Sequence, residues 1–493
     1  MPAASEAPAL QPPLCVDLDG TLLASDSLWE ALLLLARKRP LDLLKVPVWI
    51  AGGKSHFKEQ LAGRVAIDVT HLPYRPEVLQ CLREEKAAGR RIVLATASHH
   101  KTADAIAGHL GLFDEVIASG AGTNFKGSAK LAELERRFGK GNFDYIGDAS
   151  ADLPVWQNAR RAYVVAASAG VVRKAQSVCK PHQVFPVTGT AKALLKALRP
   201  HQWVKNFLLF IPLILAHQIT DLHKVAQALL AFVSFSFCAS AIYIINDLLD
   251  LESDRRHATK RRRPFAAGNL SAVTGLLMSA GLLLVAFALT FALPIHFAGW
   301  LAVYLALTTA YSFWLKRKLL IDVILLAGLY THRIIAGAAA VDVPLTMWLL
   351  AFSMFFFLSL AFAKRYSELI QVEESGEDQI HGRGYQVRDL RIIESIGPSS
   401  GYLAVLVFCN YLNDLTRPLD PTGRLGPVHE LYAHPKVLWL VAPILLYWIT
   451  RIWFIARRRA LHDDPIIFAI RDGRSYICGI MAALIVLVAW KWH

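Results

Sequence analysis

Two groups of acidic residues in this 493-residue chain are spaced as magnesium ligands would be, and their surroundings differ. The first group lies in residues 17–21 (DLDGT), directly after a short apolar run at residues 14–16. The second lies in residues 246–254 (NDLLDLESD), at the end of a long apolar run. Carboxylate oxygens bind Mg²⁺, and bound Mg²⁺ offsets the negative charge that phosphates bring to a reaction. The spacing therefore predicts two sites for phosphate chemistry on one chain.

The first acidic group has the residues of a phosphatase. Asp17 and Asp19 follow a predicted strand, and ligands of α/β sheets bind at the carboxyl ends of strands. Asp17 can attack phosphorus, while Asp19 can protonate the leaving oxygen and later activate water. Two later strand ends supply Thr96, a hydroxyl for phosphate, and the pair Asp148 and Asp152, carboxylates for a metal.

A parallel sheet is needed to bring these strand ends together. Apolar strand-like stretches alternate with helix-like stretches in this part of the chain, which is typical of a parallel sheet covered by helices. We predict an α/β Rossmann-like hydrolase domain with a small helical cap. Its strands are predicted at residues 14–18, 91–96, 114–118 and 143–146, and the cap within residues 28–65.

The order and spacing of these residues resemble the haloacid dehalogenase superfamily, in particular its phosphoserine phosphatase-like members, over about residues 14–185. The resemblance implies that Asp17 is the nucleophile and Asp19 the general acid and base. It also implies that Thr96 binds the phosphate of the substrate.

The same resemblance implies a metal and a lysine in the phosphatase site. Mg²⁺ would be held by Asp148 and Asp152 together with Asp17 and Asp19. Lys130, which opens a helix-like stretch, is one candidate for the lysine of the superfamily, and Lys126 is the other.

The remainder of the chain has the composition of a membrane protein. Hydrophobic residues make up 54% of the sequence, and the mean hydropathy is +0.37. We predict a loose tail at residues 1–13, the hydrolase domain at 14–187, an interfacial linker at 188–205 and an all-α membrane domain at 206–493. Nine spans are predicted, at residues 206–218, 224–246, 271–292, 296–314, 321–341, 345–363, 397–413, 437–456 and 474–491.

The formal net charge of +14 comes from basic residues concentrated beside the apolar runs. Such residues fix membrane topology and face anionic headgroups, so we predict no binding of nucleic acid. The positive-inside rule is satisfied when the hydrolase domain and both active sites are cytoplasmic. The predicted location is therefore the inner (cytoplasmic) membrane. The six cysteines include no CxxC pair, which argues against structural zinc.

The second acidic group can hold a cation. Asp247, Asp250 and Asp254 are spaced i, i+3 and i+7, which would place them on one helical face. Their charges repel unless a cation joins them, and Mg²⁺ bridging to a pyrophosphate would do so. The following basic segment suits phosphate oxygens, although such segments also serve as topology signals. Its candidate phosphate ligands are Lys260, Arg261 and Arg263.

The pattern NDxxDxxxD followed by KRxRPxAAG resembles the UbiA prenyltransferase superfamily, over about residues 195–493. The second acidic motif of that superfamily, DxxxD, is missing after the fourth predicted span. Tyr311, Lys316 and Asp322 stand there instead. This departure is similar to the branch that contains decaprenyl-phosphate phosphoribosyltransferase.

That branch implies two substrates, phosphoribosyl pyrophosphate and a polyprenyl phosphate. Asn246, Asp247, Asp250 and Asp254 would then bind the pyrophosphate of the sugar through Mg²⁺, and the lipid phosphate would be the nucleophile. Nearby Lys and Arg side chains, including Lys316, would bind the remaining phosphates.

Charged residues also occur inside or at the end of apolar runs. Arg333 follows Asp322 by eleven residues, close to three helical turns, so the two should face the same way. A buried arginine usually lines a polar cavity, although a structural ion pair is the alternative. Lys364 closes the next span, where it either contacts substrate or anchors the helix at the interface.

These features predict a bifunctional membrane enzyme in which a phosphoribosyltransferase is fused to a phosphatase that removes the 5-phosphate of the product. The alternative is a prenyl diphosphate:aromatic acceptor prenyltransferase with a regulatory or scaffold N-terminal domain. Homo-oligomerisation is compatible with either hypothesis.

Overall fold

The computed structural model describes residues 11–120, 125–166, 169–186, 190–380, 383–416, 432–461 and 464–490. Residues 1–10 of the predicted tail, and the predicted boundary between residues 187 and 188, lie outside these ranges. Chain contacts divide the protein into two compact units. Unit 1 contains the described residues up to Leu198 together with Tyr243–Ala280, and unit 2 contains Arg199–Ile242 and the described residues from Gly281 onward.

A six-stranded parallel sheet forms the centre of unit 1, in the order β3-β2-β1-β4-β5-β6. This confirms the predicted α/β class and the predicted strands, and it adds two strands at one edge. The added strand β6 ends in proline and is largely exposed, so it lacks the apolar run that marks a buried strand. The strands are β1 (Leu14–Val16), β2 (Ile92–His99), β3 (Glu115–Ser119), β4 (Asp144–Gly147), β5 (Ala162–Ala166) and β6 (Gln183–Pro186).

Strand β1 lies between β2 and β4, with Leu14 in register with Ile92 on one side and Asp144 on the other. All three of its residues are fully buried because helices cover both faces of the sheet. Leu14 and Val16 belong to the core on one face, and Cys15 belongs to the core on the other. The strand order reverses between β1 and β4, so the loops after these two strands open at the point where α/β sheets bind ligands.

Helices surround the sheet, and the first three form the predicted cap. The cap has its own apolar cluster, in which Leu35, Trp49 and Leu61 are buried. Helix α1 begins after Asp26, whose carboxylate accepts hydrogen bonds from the backbone N–H groups of Leu28 and Trp29. The helices are α1 (Ser27–Lys38), α2 (Val46–Ala51), α3 (Lys54–Ala62), α4 (Pro76–Ala87), α5 (His100–Leu110), α6 (Ser128–Phe138), α7 (Leu153–Asn158), α8 (Ala169–Val178) and α9 (Thr190–Leu198).

The chain after Leu198 is helical throughout its described part. Short 3₁₀ segments join the helices, the longest at Pro200–Phe210. The helices are α10 (Ile211–Leu215), α11 (Leu222–Leu249), α12 (Leu251–Arg256), α13 (Ala272–Leu289), α14 (Ile295–Phe313), α15 (Ile321–Val341), α16 (Met347–Glu374), α17 (Leu390–Thr416), α18 (Val441–Arg457), α19 (Pro465–Arg471) and α20 (Gly473–Ala489).

Among the described residues, six helices are long and apolar enough to cross a membrane, which makes the chain a multi-pass membrane protein. The pair α19 and α20, bent by 85°, makes a seventh if it counts as one span. The predicted count of nine was thus only approximate. The first predicted span falls on the 3₁₀ segment Pro200–Phe210 and the five-residue α10, which is too short to cross. The predicted span at residues 296–314 forms helix α14, but this helix is not among the six that are long and apolar enough to cross.

In unit 2, the Pro200–Phe210 segment packs against α15 at a glycine. A Cβ atom added to Gly337 would lie 2.2 Å from the carbonyl oxygen of Leu209. Small residues permit such close backbone approach between membrane helices. The glycine therefore sets how closely this segment can pack.

We expect Gly337→Ala to lower the midpoint of thermal unfolding, because the added methyl group must push the Leu209 backbone away at a cost of about 1–3 kcal/mol. Tryptophan fluorescence of the detergent-solubilised protein would measure the midpoint. Gly328→Ala is the matched control on the same helix, since nothing lies within 4 Å of a Cβ atom there. Equal midpoints for the two variants would contradict this account of the packing.

Candidate active sites

Three carboxylates of unit 1 converge at the carboxyl ends of β1 and β4. One oxygen each from Asp17, Asp148 and Asp152 lies within 4.8 Å of the other two. Asp17 follows β1, while Asp148 follows β4 and Asp152 ends the next 3₁₀ turn. Gly20 leaves the space for this arrangement, because a Cβ atom there would lie 2.2 Å from Asp148 Oδ2. Three hard oxygen donors so close together fit Mg²⁺.

A buried lysine stands among these carboxylates. Lys130 Nζ is 3.0 Å from Asp17 Oδ2 and 3.6 Å from Asp152 Oδ1. It also donates a hydrogen bond of 2.7 Å to the hydroxyl of Tyr145, which in turn donates one of 2.8 Å to Asp152. Lys126 is exposed. Of the two lysines that the sequence left open, the structure brings Lys130 to the aspartates.

Asp19 is held apart from the group of three. Its carboxylate accepts hydrogen bonds from the backbone N–H of Ser27 at 2.7 Å, from the Ser27 hydroxyl at 3.2 Å and from the Ser98 hydroxyl. Among the described residues, the Asp19 carboxylate is not one of the three with metal-ligand spacing, because the start of α1 and the end of β2 hold it. Thr96 is buried, and its hydroxyl accepts a hydrogen bond from the backbone N–H of Ser98.

Burial and mutual repulsion raise the pKa values of these carboxyl groups. Burial raises the pKa of Asp148 to about 7, and the charges of Asp17 and Asp152 add to the effect. Burial likewise raises the pKa of Asp17, while the ammonium group of Lys130 opposes that rise. Burial also raises the pKa of Asp19. Such shifts are typical of sites that hold a cation or transfer protons.

The cap adds a residue that sequence patterns did not reveal. Lys58 on α3 donates a hydrogen bond of 2.6 Å to the backbone carbonyl oxygen of Ala97, next to Thr96. Burial lowers its pKa, and the charge of Asp19 opposes the decrease. No local motif marks this lysine, because it comes from a helix far from the strand ends in sequence.

The second acidic group, also in unit 1, centres on an arginine. Arg263 Nη1 lies 3.1 Å from Asp247 Oδ1 and 2.6 Å from Asp254 Oδ2, and both carboxylates are buried. Burial raises the pKa of Asp254, and Arg263 opposes that rise. Since one guanidinium contacts both carboxylates, their separation suits a shared cation such as Mg²⁺.

Asp250 points elsewhere, so the predicted common face is only partly formed. Helix α11 ends at Leu249 and α12 begins at Leu251, and this break turns the Asp250 side chain toward Arg37 of the cap at 3.3 Å. In the described part of the chain, the three carboxylates do not form a group with metal-ligand spacing. Asn246, next to Asp247 on α11, is partly buried.

Two of the predicted phosphate ligands lie in an exposed turn. Lys260 and Arg261 belong to the 3₁₀ segment Lys260–Arg262, where both are open to solvent. They differ in this respect from Arg263, which faces the two carboxylates.

In unit 2, Asp322 is the centre of a buried cluster. Its carboxylate accepts a 2.6 Å hydrogen bond from the hydroxyl of Tyr385 and pairs with Arg365 at 2.9 Å and Arg383 at 3.3 Å. Arg383 also donates a 3.2 Å hydrogen bond to the hydroxyl of Tyr311. The sequence had marked Tyr311 and Asp322, but the two arginines come from later in the chain. Lys316, in the turn Leu315–Arg317, is partly buried.

Arg333 has different partners from Asp322, although both lie on α15. Arg333 donates to Asn206 Oδ1 at 3.0 Å, to the Tyr304 hydroxyl at 3.1 Å and to the backbone carbonyl oxygen of Leu329. Its guanidinium also lies 5.6 Å from the ring centre of Tyr330. Within the described residues these hydrogen-bond partners are neutral. They therefore do not form the structural ion pair that was the alternative to a polar cavity around Arg333.

Lys364 contacts a carboxylate that the sequence gave no reason to select. Asp464 Oδ2 accepts hydrogen bonds from Lys364 at 3.1 Å and from Lys205 at 2.9 Å. The hydroxyl of Tyr330 donates to the same carboxylate at 3.2 Å. Lys205 and Asp464 are 259 positions apart, so only the packing of unit 2 brings them together.

Comparisons with known proteins agree with the two groups of motifs. A family model described as the UbiA prenyltransferase family matches residues 207–470, and one described as haloacid dehalogenase-like hydrolase matches residues 14–157. Uncharacterized protein y4nM of Sinorhizobium fredii is 39% identical over 482 residues, 96% of this chain and 90% of that protein. Both resemblances predicted from the motifs are confirmed.

Two further relatives are similar to part of this chain. Nodulation protein NoeC of Azorhizobium caulinodans is 36% identical over 289 residues, 59% of this chain and 90% of NoeC. Decaprenyl-phosphate phosphoribosyltransferase of Mycolicibacterium smegmatis is 36% identical over 197 residues, 39% of this chain and 61% of that enzyme. The match therefore spans less than two thirds of that transferase.

We expect Lys130→Ala to move the acid limb of phosphatase activity to higher pH by about one unit. Lys130 lowers the pKa of Asp17, so without it the Asp17 carboxyl group, which the family resemblance implies is the nucleophile, keeps its proton to a higher pH. Hydrolysis of p-nitrophenyl phosphate by the full-length protein with Mg²⁺ between pH 4 and 9 would measure the limb. Lys126→Ala is the control, and an unmoved limb in the Lys130 variant would refute the assigned electrostatic role.

Proposed function

Because this chain belongs to the UbiA prenyltransferase family, we propose that its membrane helices transfer a phosphoribosyl group from phosphoribosyl pyrophosphate to a polyprenyl phosphate. A phosphate oxygen of the lipid forms a bond to C1 of the ribose, and the bond from C1 to pyrophosphate breaks. The products are a polyprenyl-phosphoryl phosphoribose and free pyrophosphate. The name of the Mycolicibacterium smegmatis relative, decaprenyl-phosphate phosphoribosyltransferase, supports the choice of this reaction within the family.

The observation that carries the proposal is the pairing of Asp322. Its carboxylate is fully buried and is already engaged by Arg365, Arg383 and Tyr385. A carboxylate neutralised in this way is a poor second metal ligand. A buried cluster that contains two arginines suits a substrate with many phosphates, such as phosphoribosyl pyrophosphate.

Asp247 and Asp254 are the proposed ligands of Mg²⁺. Asp250 and Asn246 belong to the same sequence motif. When bound, Mg²⁺ neutralises charge that builds up on the departing pyrophosphate. Arg263, which contacts both buried carboxylates, would exchange this contact for phosphate oxygens of the substrate. We further propose that Lys260, Arg261, Lys316, Arg333 and Lys364 bind phosphates of the two substrates.

The competing reaction is transfer of a prenyl group from a prenyl diphosphate to an aromatic acceptor. Purified full-length protein with Mg²⁺ should be incubated in parallel with phosphoribosyl pyrophosphate plus polyprenyl phosphates, and with prenyl diphosphate plus an aromatic acid. Product masses distinguish the two reactions. A prenylated aromatic product without any phosphoribosylated lipid would refute the proposal.

For the N-terminal domain we propose hydrolysis of the 5-phosphate on the lipid-linked product. Asp17 would attack phosphorus and Asp19 would protonate the leaving ribose oxygen. Covalent fusion raises the effective concentration of a membrane-held product near the hydrolase. This sequence of reactions requires both active sites on one side of the membrane. We place them on the cytoplasmic side of the inner membrane, as the basic loops indicate.

We expect Asp247→Asn and Asp254→Asn each to reduce phosphoribosyl transfer by about 100-fold or more, because each removes a charge that would hold the metal. Chelation of Mg²⁺ should have the same effect. Transfer assays by mass spectrometry, with thermal unfolding as the control for folding, would measure this. Undiminished transfer by either folded variant would remove that aspartate from the site.

Lys316→Ala should raise KM for phosphoribosyl pyrophosphate about tenfold and leave KM for the lipid close to its original value. A point charge loses most with the substrate that carries more phosphates. Lys318→Ala is a suitable control, since Lys318 is an exposed lysine of the same loop. Equal increases in both KM values would show general disruption of the loop.

Asp17→Asn should leave phosphoribosyl transfer intact while the 5-phosphorylated lipid accumulates. The asparagine side chain cannot act as the nucleophile, so only the second reaction stops. Time courses of both lipid products by mass spectrometry would test the order of the reactions. If the wild-type protein never removes that phosphate, the N-terminal domain acts on another substrate.

A further inference from the structure

Lys205, Lys364 and Asp464 of unit 2 form a buried cluster in which two cations share one carboxylate oxygen. The side chains of Lys205 and Asp464 are only 10% and 6% exposed. Lys364 is 28% exposed, so the cluster opens to solvent on its side. Burying an ammonium group is costly unless an anion compensates it, and ionisable groups within membrane helices usually serve binding or transport.

Charged and aromatic groups lie near this cluster, including Glu368, whose carboxylate acts on Lys364. Lys205 Nζ lies 5.8 Å from the ring centre of Tyr330, and the guanidinium of Arg333 lies 5.6 Å from the same ring. In the described part of unit 2, both lysines contact the carboxylate of Asp464. Arg333 donates its hydrogen bonds to neutral groups. Two cations, Lys205 and Arg333, thus lie beside one tyrosine, whose hydroxyl also donates toward Asp464.

The donors that converge on Asp464 match what a phosphate needs. Two ammonium groups and a phenol hydroxyl present hydrogen-bond donors to one carboxylate, and a phosphate monoester has more acceptor oxygens and more charge than a carboxylate. Asp464 itself is the residue that precedes α19, and its other oxygen accepts from the backbone N–H of Ile466. It therefore keeps a backbone partner if the lysines turn to another anion.

We propose that Lys205 and Lys364 bind the phosphate monoester of a substrate, and that Asp464 is the internal anion which this phosphate displaces. The assignment rests on the proposed function and deepens it, since both substrates of that reaction carry a phosphate monoester. The lipid contributes its terminal phosphate, and the sugar contributes its 5-phosphate. The cluster discriminates against neutral compounds, because only an anion can compensate the two lysines.

Binding can be measured without catalysis, which separates this proposal from the proposed reaction. Full-length protein in detergent, with EDTA and no Mg²⁺, is titrated by calorimetry with farnesyl phosphate, with ribose 5-phosphate and with neutral farnesol. We expect Lys205→Ala and Lys364→Ala each to weaken the binding of one phosphate probe about tenfold and to leave farnesol unchanged. The probe that responds identifies the lipid phosphate or the sugar phosphate as the ligand.

Asp464→Asn gives the decisive result, because it should tighten binding of the same probe severalfold by removing the competing anion. If this variant is less stable, the probe should raise its midpoint of thermal unfolding more than it raises that of the wild type. Lys224→Ala, a lysine of unit 2 that contacts Gln218, is the control. Unchanged affinity in both lysine variants, or weaker binding in the Asp464 variant, would overturn the proposal.

Discussion

Charged groups that leave water must be compensated by partners of opposite charge, and this constraint shapes both units of the protein. In unit 1, Asp17, Asp148 and Asp152 can share a small space because Lys130 stands between two of them. Without a lysine or a metal, the charges of three carboxylates so close together would repel one another. A site that needs a cation for its own stability is already suited to bind one.

The same constraint explains why buried carboxylates in this chain have different roles. Asp322 is fully buried and contacts two arginines and a tyrosine, so its charge is compensated within the protein. Asp247 and Asp254 share one partly exposed arginine, which can leave when a metal or phosphate arrives. The exposure of the arginine partners, more than the burial of the carboxylates, distinguishes Asp322 from the proposed metal ligands.

Helix α1 contacts both acidic groups of unit 1. At its start, Ser27 donates hydrogen bonds to Asp19. In its first turn, Glu30 forms a buried bidentate ion pair with Arg255, and near its end Arg37 pairs with Asp250. A bidentate pair of this kind fixes orientation as well as distance. The positions of Asp19 and Asp250 are thus tied to the same short helix of the cap.

The sequence by itself determined the elements whose signal is local. Apolar runs followed by polar residues predicted β1, β2 and β4. Asp17 and Asp148 directly follow β1 and β4, whereas Thr96 lies within β2, which continues to His99. The carboxyl ends of parallel strands meet at one edge of the sheet. The long apolar runs likewise predicted membrane helices from a local signal. Their count was only approximate, because hydropathy along the sequence does not distinguish a helix that crosses the membrane from a bent or short one.

Only the tertiary structure decided which distant charges meet. It brought Lys130 rather than Lys126 to Asp17, held Asp19 against Ser27, turned Asp250 toward Arg37 and brought Lys205 and Lys364 to Asp464. No local pattern could have predicted these pairs, because each partner lies on a different element. Their distances follow from how the elements pack, and buried charges accept whichever compensating group that packing supplies.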